Sequence, residues 1–209
     1  MGSTASLLLA GSGIGHITIT DGDRIEESNL NRQLFWRRSD VGAYKVDVLS
    51  EILREKFPGF EVETIKRNIG LDEAFGLVRN GYDAVVVTAD EPATLAAQCK
   101  RIADQYHIPV VSAGYLHRMC MTNFYTGEAS NCLGTMGDDF RRSTLRQFDW
   151  KRLPNGIMPS FGPTNFSLAS MLASSVIAAL ARHTLGAAQQ HSIVGDANSS
   201  PWQFNTLSG

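Results

Sequence analysis

The feature that most constrains the fold is a repeated alternation of apolar, β-branched runs with amphipathic helical segments. "YDAVVVTAD" and "IPVVSAG" are continuous apolar runs, typical of strands that are buried on both faces of a parallel sheet. "KVDVLSEILREKF", between such runs, carries apolar residues at helical spacing. The alternation predicts an α/β fold with a doubly wound, mostly parallel, Rossmann-like sheet. "HSIVGD" and "PWQFNTL" predict antiparallel strands near the carboxyl end.

Composition fits a single domain over residues 1–209. Hydrophobic residues make up 43% of the chain and charged residues 19%, ordinary values for a globular protein. The net charge of −2 provides no general attraction to nucleic acid or to anionic lipid. We expect the small-residue helix at 164–183 to be buried rather than to span a membrane, because it is short and rich in Ser.

The three cysteines form no CxxC pair, which predicts neither a disulfide framework nor a four-cysteine zinc site. We expect Cys99 on a helix and Cys120 on a strand to be core residues, with Cys132 in a polar loop. A reducing cytoplasm is the expected compartment, since no signal peptide is evident at the start of the chain.

The stretch "AGSGIGHITITDGD" contains glycines that resemble a dinucleotide fingerprint but stand in the wrong order. Such a fingerprint follows a strand and opens a helix, so that the helix N-terminus faces the phosphates. Here a helical pattern comes first and a strand pattern follows. We therefore interpret Gly11, Gly13 and Gly15 as the end of a helix and a tight turn into the strand.

Chemistry-bearing residues follow that strand in "TDGDRIEESNLNRQ". Ligands of a doubly wound sheet gather beyond the carboxyl ends of its strands, where Asp21 is expected to lie. A carboxylate can accept hydrogen bonds from ribose hydroxyls, Arg32 can grip a phosphate with two parallel bonds, and Lys45 supplies a compact charge. Asp90, after "AVVVTA", is suited to hold a divalent ion against phosphate oxygens. Each has a plainer interpretation, as a solvated turn, a helix cap or a surface lysine.

The motif "ITITDGDRIEESNLNRQLFW…DVGAYK" resembles the ATP-dependent adenylating domains of the ThiF/MoeB/HesA group, relatives of ubiquitin-activating enzymes. "VVTADEPATL", "PVVSAGYLHRMCMTNFYTG" and "MPSFGPTNFSLASMLASSVI" also follow the family pattern, and the resemblance covers nearly the whole chain. It is strongest to the branch that adenylates peptides in the maturation of microcin-type antibiotics.

The resemblance implies attack of a peptide or protein carboxylate on the α-phosphorus of ATP, giving an acyl-adenylate and pyrophosphate. By position, Asp21 would hold the ribose with Asp23 in support, and Asn29 and Arg32 would bind the triphosphate. Lys45 would contact the phosphates near the α-phosphorus, and Asp90 would bind Mg²⁺. The resemblance also implies a homodimer and further ATP contacts at Gly2 and Gln33. No membrane or nucleic-acid partner is expected, because of the net charge and the short, Ser-rich helix.

Three departures from the family pattern qualify these expectations. Family members carry a strand and G-x-G-G-x-G before this point, so we expect "MGST" to be the tail of that loop and the chain to be incomplete at its start. Zinc is not expected, because Cys132 lacks its paired cysteine and the second pair is missing. Thioester chemistry is not expected either, because residues 133–163 contain no cysteine.

Two further function classes stay open at this point. A non-catalytic subunit could keep the fold and the dimer surface and use a partner's ATP site. A nicotinamide-dependent enzyme shares the strand-end Asp, but the glycine order and the clustered cations argue against it. The loop 127–160, with Arg141, Arg142 and Arg146, is either a receptor for an acidic peptide tail or a solvated surface. Ala169, Ala173 and Ala178 indicate close packing of their helix on the sheet or on a partner.

Overall fold

The computed structural model describes residues 1–89, 95–116, 119–125, 162–181, 191–196 and 203–207. Helices and strands alternate through most of this range, as the sequence pattern predicts. The helices are α1 (Gly2–Gly11), α2 (Lys45–Lys56), α3 (Leu71–Val78), α4 (Leu95–Tyr106) and α5 (Gly162–Leu180). The strands are β1 (His16–Thr20), β2 (Glu61–Ile65), β3 (Val85–Val87), β4 (Val110–Leu116), β5 (Met119–Tyr125), β6 (His191–Asp196) and β7 (Gln203–Leu207).

The glycine-rich stretch forms the turn between α1 and β1. The amide of Gly13 donates to the carbonyl of Ala10, and the amide of Ile14 donates to the carbonyl of Leu9. Gly13 has a φ of +93°, a conformation that only glycine adopts without strain. The order of helix, glycine turn and strand confirms that these glycines end α1, and a phosphate-binding loop is not built from them.

Strand pairing divides the described strands into two sheets. β1 and β2 pair in parallel, with Ile17 opposite Val62. β3 and β4 also pair in parallel, whereas β4, β5, β6 and β7 succeed one another in antiparallel order. The α/β class, with parallel strands first and antiparallel strands toward the carboxyl end, is therefore confirmed.

Helices cover both faces of the larger sheet, which is the doubly wound arrangement. Val111 and Phe124 lie on one face and pack with Leu168 and Leu172 of α5 and with α1. On the other face, neighbouring residues of β4 and β5 pack with α3 and α4. A third cluster joins α1, α2 and β2, because the apolar side chains of α2 recur at helical spacing and all face inward.

β1 and β3 are each paired along one edge only within the described sheets, β1 with β2 and β3 with β4. Tyr82, just before β3, reaches across to β1. Its hydroxyl lies 2.5 Å from Thr18 Oγ1, and its ring centroid lies 6.0 Å from that of His16. We call this side-chain contact between the two sheets, made by His16, Thr18 and Tyr82, the seam.

β3 differs from its sequence expectation. The apolar run predicts a strand buried on both faces, but the strand spans only Val85–Val87, with Val85 and Val86 half-buried and Val87 buried. The prediction of full burial is wrong. The physical reason is its place in the sheet: within the described strands β3 pairs with β4 alone, so no strand covers its other edge.

α5 is the helix, among those described, with the length and mean hydropathy of a membrane span. Its inward face is nevertheless in the core, since Leu172 and Ala169 are fully buried against α1 and the sheet. Ala173 is buried there as well and Ala178 is half-buried. The small residues of α5 thus allow close packing within this chain.

Candidate functional site

The residues that follow β1 form a tight turn held by side-chain oxygens. The amide of Asp23 donates to Asp21 Oδ1 at 2.7 Å, and the amide of Gly22 donates to Asn68 Oδ1 at 3.0 Å. A methyl group added at Gly22 would come within 3.2 Å of the amide nitrogen of Asn68, so the two segments are closely packed. Asp21 is thereby fixed beyond the carboxyl end of β1, where the sequence places it.

Arg32 is presented by a short 3₁₀ turn over Glu27–Asn29. Asn29 is buried and holds this turn, because its Oδ1 accepts from the amide of Glu26 at 3.3 Å and its carbonyl accepts from the amides of Arg32 and Gln33. Arg32 Nη1 donates to the carbonyl oxygen of Ser28 and to Asn31 Oδ1, both at 3.0 Å. The side-chain oxygen of Asn29 thus supports the turn that carries Arg32.

The side chain of Gln33 also has a hydrogen-bond partner within the protein. Its Oε1 accepts a hydrogen bond from Trp36 Nε1 at 2.6 Å, and Trp36 is buried in the third core cluster. A buried indole N–H needs an acceptor, and Gln33 satisfies it. The side-chain oxygen of Gln33 is therefore engaged in the fold, which leaves its amide nitrogen for any contact with a ligand.

Lys45 is the first residue of α2, an unfavourable place for a cation because the N-terminus of a helix carries partial positive charge. Its Nζ lies 2.7 Å from Asp23 Oδ2, and its amide donates to the carbonyl of Asp23. The side chain of Lys45 is 17% exposed, whereas that of Asp23 is 62% exposed. A shielded cation at the wrong end of a helix indicates a binding role more than a stabilising one.

The electrostatics at the start of α1 reflect the charges of three of these side chains. Burial, first, and then the positive charges of Arg32 and Lys45 lower the pKa of this group from 8.0 to about 6, and Asp21 opposes the effect. Arg32, Lys45 and Asp21 therefore act electrostatically on one point, the start of α1. Two cations at the N-terminus of a helix form a site suited to an anion such as a phosphate.

Gly2 lies at the same point, in the first turn of α1. A methyl group added there would come within 2.8 Å of Thr88 Oγ1, just beyond β3. The start of α1 thus meets the carboxyl end of β3 on one side and Asp21 of β1 on the other. Side chains from two strand ends and two helix starts meet in this region, which we call the strand-end site: Gly2, Asp21, Asp23, Arg32 and Lys45.

The pKa of Asp21 is raised from its ordinary value of 3.8, mainly because burial disfavours its ionised form. The hydrogen bond from the amide of Asp23 and the charge of Lys45 act in the opposite direction. Asp21 is thus a partly buried acceptor beside cations, an arrangement that often marks a functional site.

Some predicted residues lie outside the described residues, and their placement is not tested. These include Asp90, Cys132 and the loop 127–160. Among the described residues, no group of three or more His, Cys, Asp or Glu side chains could hold a metal ion. Cys99 is buried in the core as expected, and burial raises the pKa of its thiol to about 11, which makes it a poor nucleophile at neutral pH.

Sequence reasoning missed three residues that shape the site. Asn68 fixes Gly22, Asn31 holds Arg32, and Thr88 packs on Gly2. Asn68 follows β2 in "IKRNI", so a polar residue at a second strand end was an available signal. The contacts of Asn31 and Thr88 depend on the three-dimensional path of the backbone, which the spacing of residues along the chain does not reveal.

Comparison with known proteins identifies the family and agrees with the fold. The model of the ThiF family matches residues 1–207. Over 94 residues the chain is 40% identical to the adenylyltransferase and sulfurtransferase uba4 of Aspergillus fumigatus and 42% identical to MOCS3 of Culex quinquefasciatus. These matches cover 45% of this chain and 19% and 21% of the relatives, so the aligned part is about a fifth of their length.

Solved structures share the fold over nearly the whole chain. The structure of E. coli MccB with ATP has a TM-score of 0.76 at 24% identity, covering 99% of this chain and 60% of that one. The structure of PaaA has a TM-score of 0.75 at 20% identity, with the same coverage. At such identities the likeness establishes the common architecture.

Proposed function

Since the chain belongs to the ThiF family, we propose that it binds ATP at the strand-end site and adenylates the carboxylate of a peptide or small protein. A carboxylate oxygen of the substrate attacks the α-phosphorus, the bond between the α-phosphorus and the bridging oxygen breaks, and pyrophosphate leaves. The products are an acyl-adenylate and pyrophosphate. The observation that carries this proposal is the cluster of Asp21, Asp23 and Lys45 beyond the carboxyl end of β1, with Arg32 on the turn that follows it.

Each residue has a role that its surroundings support. Asp21, at the end of β1, accepts hydrogen bonds from the ribose hydroxyls. Arg32 and the start of α1 bind the triphosphate, and Lys45 moves from Asp23 to the phosphates near the α-phosphorus. Gln33 contacts the triphosphate through its amide nitrogen, because its side-chain oxygen accepts from Trp36. Asn29 has one amide hydrogen left for such a contact, because its Oδ1 accepts from the amide of Glu26 and its Nδ2 donates to Ser28 Oγ.

Electrostatic compensation is the main demand of this reaction. A carboxylate and a polyphosphate are both anions, so their approach is opposed by repulsion until cations offset it. The nucleophile is already ionised at neutral pH and needs no general base. Two cations beside a helix N-terminus supply this compensation, with Asp23 keeping Lys45 in place until a phosphate replaces it.

Magnesium is part of the proposal through Asp90, which follows β3 in the sequence. Mg²⁺ is usually held by one or two carboxylates together with phosphate oxygens and water, rather than by a full protein cage. A single carboxylate such as Asp90 suits that mode, in which the nucleotide would provide the remaining oxygen ligands. The ion would supply further charge compensation on the phosphates.

Relatives support the substrate class. E. coli MccB has been solved with MccA and with ATP, and uba4 and MOCS3 are described as adenylyltransferases. We infer a peptide or small-protein substrate for this chain by analogy, and a homodimer for the same reason. Measuring the mass of the protein in solution tests the dimer directly.

A substitution of Lys45 tests the function, with Lys100 as a matched control. The two side chains are similarly shielded, 17% and 20% exposed, and each is paired with an Asp, at 2.7 and 2.9 Å. Only Lys45 lies in the strand-end site. We expect Lys45→Ala to weaken Mg–ATP binding and to slow ATP–pyrophosphate exchange about a hundredfold or more.

Exchange is measured with candidate peptides that have a free carboxyl terminus, and binding by calorimetry. Lys100→Ala should leave both unchanged, and Lys45→Ala should change the melting temperature little, since exposed ion pairs contribute at most about 1 kcal/mol. ATP binding that is equally strong in both variants would contradict the proposal. A protein that binds its partner but neither ATP nor pyrophosphate would instead be a non-catalytic subunit.

A further inference from the structure

The guanidinium group of Arg32 is held on one side only. Its Nη1 donates to two oxygens, the carbonyl of Ser28 and the side-chain Oδ1 of Asn31, each at 3.0 Å. These two bonds use both hydrogens of that nitrogen. Within the described residues Nε and Nη2 have no protein acceptor, so the opposite side of the group remains available to a ligand.

The available side has the geometry that phosphate recognition requires. The hydrogens of Nε and Nη2 point in nearly parallel directions and form a fork that matches two oxygens of one phosphate. A long arginine side chain in solvent samples many rotamers, and fixing it before binding removes that entropic cost. Two bonds on Nη1 fix the plane of the group and therefore the direction of the fork.

Both acceptors of Arg32 are neutral oxygens, as are the acceptors of Arg24, Arg54 and Arg79, whereas other cations of the chain are paired with carboxylates. Arg38 pairs with Glu27, Arg67 pairs with Glu73 and Lys45 pairs with Asp23. Of the residues that the structure describes, no carboxylate forms an ion pair with Arg32. Amide and carbonyl oxygens orient the guanidinium without cancelling its charge, which still acts on the amino group of Met1.

We propose that Asn31 is a positioning residue, which holds the Arg32 guanidinium with its Nε and Nη2 fork directed at the anion without neutralising it. This inference rests on the proposed function, since it takes Arg32 as a phosphate-binding cation. The side chain of Asn31 is exposed and contributes little to the core, whereas its carbonyl lies under the start of α5, 3.6 Å from where a methyl group at Gly162 would be. The backbone is thus anchored, and the side chain can be changed.

The test is a double-mutant cycle of Asn31 and Arg32. Calorimetry measures the affinity of the full chain for inorganic pyrophosphate in each protein. We expect Asn31→Ala to weaken binding roughly five- to tenfold, as befits one lost hydrogen bond to a charged group. In the Arg32→Ala background, the same change should have no further effect. Asn80→Ala, at another exposed asparagine, is the control and should bind pyrophosphate as the wild type does.

The Asn31→Asp variant tests whether Asn31 must be neutral as well as hold the orientation of the Arg32 guanidinium. The carboxylate keeps the acceptor oxygen but pairs with the guanidinium and repels the phosphate, so binding should weaken more than in Asn31→Ala. The extra loss should shrink as salt is added, because salt screens exposed charges. A merely structural role of Asn31 would lower the melting temperature instead and would produce no such order among the variants.

The outcomes distinguish this inference from the function on which it rests. Unchanged binding in Asn31→Ala, or an equal loss with and without Arg32, overturns the positioning role even if exchange with ATP is found. Pyrophosphate binding that depends on Asn31 in a protein without exchange activity upholds the positioning role and contradicts the adenylation proposal. Failure of the wild type to bind pyrophosphate contradicts both.

Discussion

At the scale of single residues, the strand-end site is a compromise between burial and charge. Asp21 is partly removed from water, which disfavours its ionised form, yet it lies near Lys45 and accepts the amide of Asp23. The net result is a raised pKa, so burial outweighs the two favourable contacts. The ionised form of this carboxylate therefore costs the folded protein stability at neutral pH.

Replacing Asp21 by asparagine should reveal that cost. The folded-state pKa lies above the unfolded value near 3.8, so the folded protein holds this proton more tightly. Stability therefore falls as the pH rises from the unfolded value through the folded one. An asparagine side chain would keep the acceptor for the amide of Asp23 and would lack this fall. We expect Asp21→Asn to melt at the same or a higher temperature than the wild type at pH 7.

Melting temperatures of both proteins between about pH 3.5 and pH 7 check this expectation. The two proteins differ only at this side chain, so the difference between the curves reports Asp21 together with its interactions with Asp23 and Lys45. The variant should also bind Mg–ATP more weakly, because it lacks the ribose acceptor. A variant that melts lower than the wild type at pH 7 would show that Lys45 and the turn outweigh burial.

Sequence alone singled out Asp21, Arg32 and Lys45 because their order along the chain follows from the α/β alternation. A strand end, a turn and a helix start come together in any such fold. It did not show that Gln33 supports Trp36 or that Asn31 holds Arg32. Those contacts depend on the path of a 3₁₀ turn, which the hydrophobic pattern leaves open.

At the scale of elements, α1 links the site to the core. It is apolar along most of its length and belongs to two core clusters, one with α5 and one with α2. Its first turn faces Arg32 and Lys45 and its last turn ends in the glycine turn before β1. A shift of α1 would therefore move the helix N-terminus away from both cations.

The contact of Gly2 with Thr88 provides a test of how tightly α1 is seated. We expect Gly2→Ala to lower the melting temperature and to weaken ATP binding, because the new methyl group would lie 2.8 Å from Thr88 Oγ1. In the Thr88→Ala background the same change should be neutral or stabilising by up to about 1 kcal/mol, since Ala favours helix more than Gly does. Thermal unfolding of the four proteins measures this, and equal effects in both backgrounds would refute the close contact.

Most elements were predictable because each carries its own pattern. α2 shows apolar residues at helical spacing, and β1 alternates β-branched residues before a polar turn. The burial of β3 was overestimated, because an apolar run forms a fully buried strand only if other strands pair with both of its edges. The number of neighbours is a property of the sheet, and no local pattern within β3 contains it.

At the scale of the whole molecule, the two sheets are joined by helices and by the seam. α1 and α2 pack over β2, and α1 and α5 pack over β4 and β5, so the core is continuous through α1. Between β1 and β3 the direct link is the hydrogen bond of Thr18 with Tyr82 and the contact of His16 with the same ring. Among the described residues, Tyr82 thus adds a side-chain link between the two sheets to the helix packing that joins them.

Tyr82→Phe should therefore cost more than the loss of an ordinary surface hydroxyl. The bond to Thr18 is partly buried, and we expect its removal to destabilise the protein by about 1 kcal/mol. For a chain of this length that corresponds to roughly 2–4 °C in melting temperature. Tyr106→Phe is the control, because Tyr106 accepts from Arg79 at an exposed position. Equal shifts for the two variants would show that the seam contributes nothing special.

The seam also has a mechanical consequence. Separating β3 from β4 would require a ladder of backbone hydrogen bonds to break, as would separating β1 from β2. Between β1 and β3, the part of the chain that the structure describes provides side-chain contacts and helix packing but no such ladder. A pulling force applied across the two sheets would therefore separate them first at the contact of Tyr82 with β1, and Asp21 would move away from Thr88 before either sheet lost its backbone hydrogen bonds.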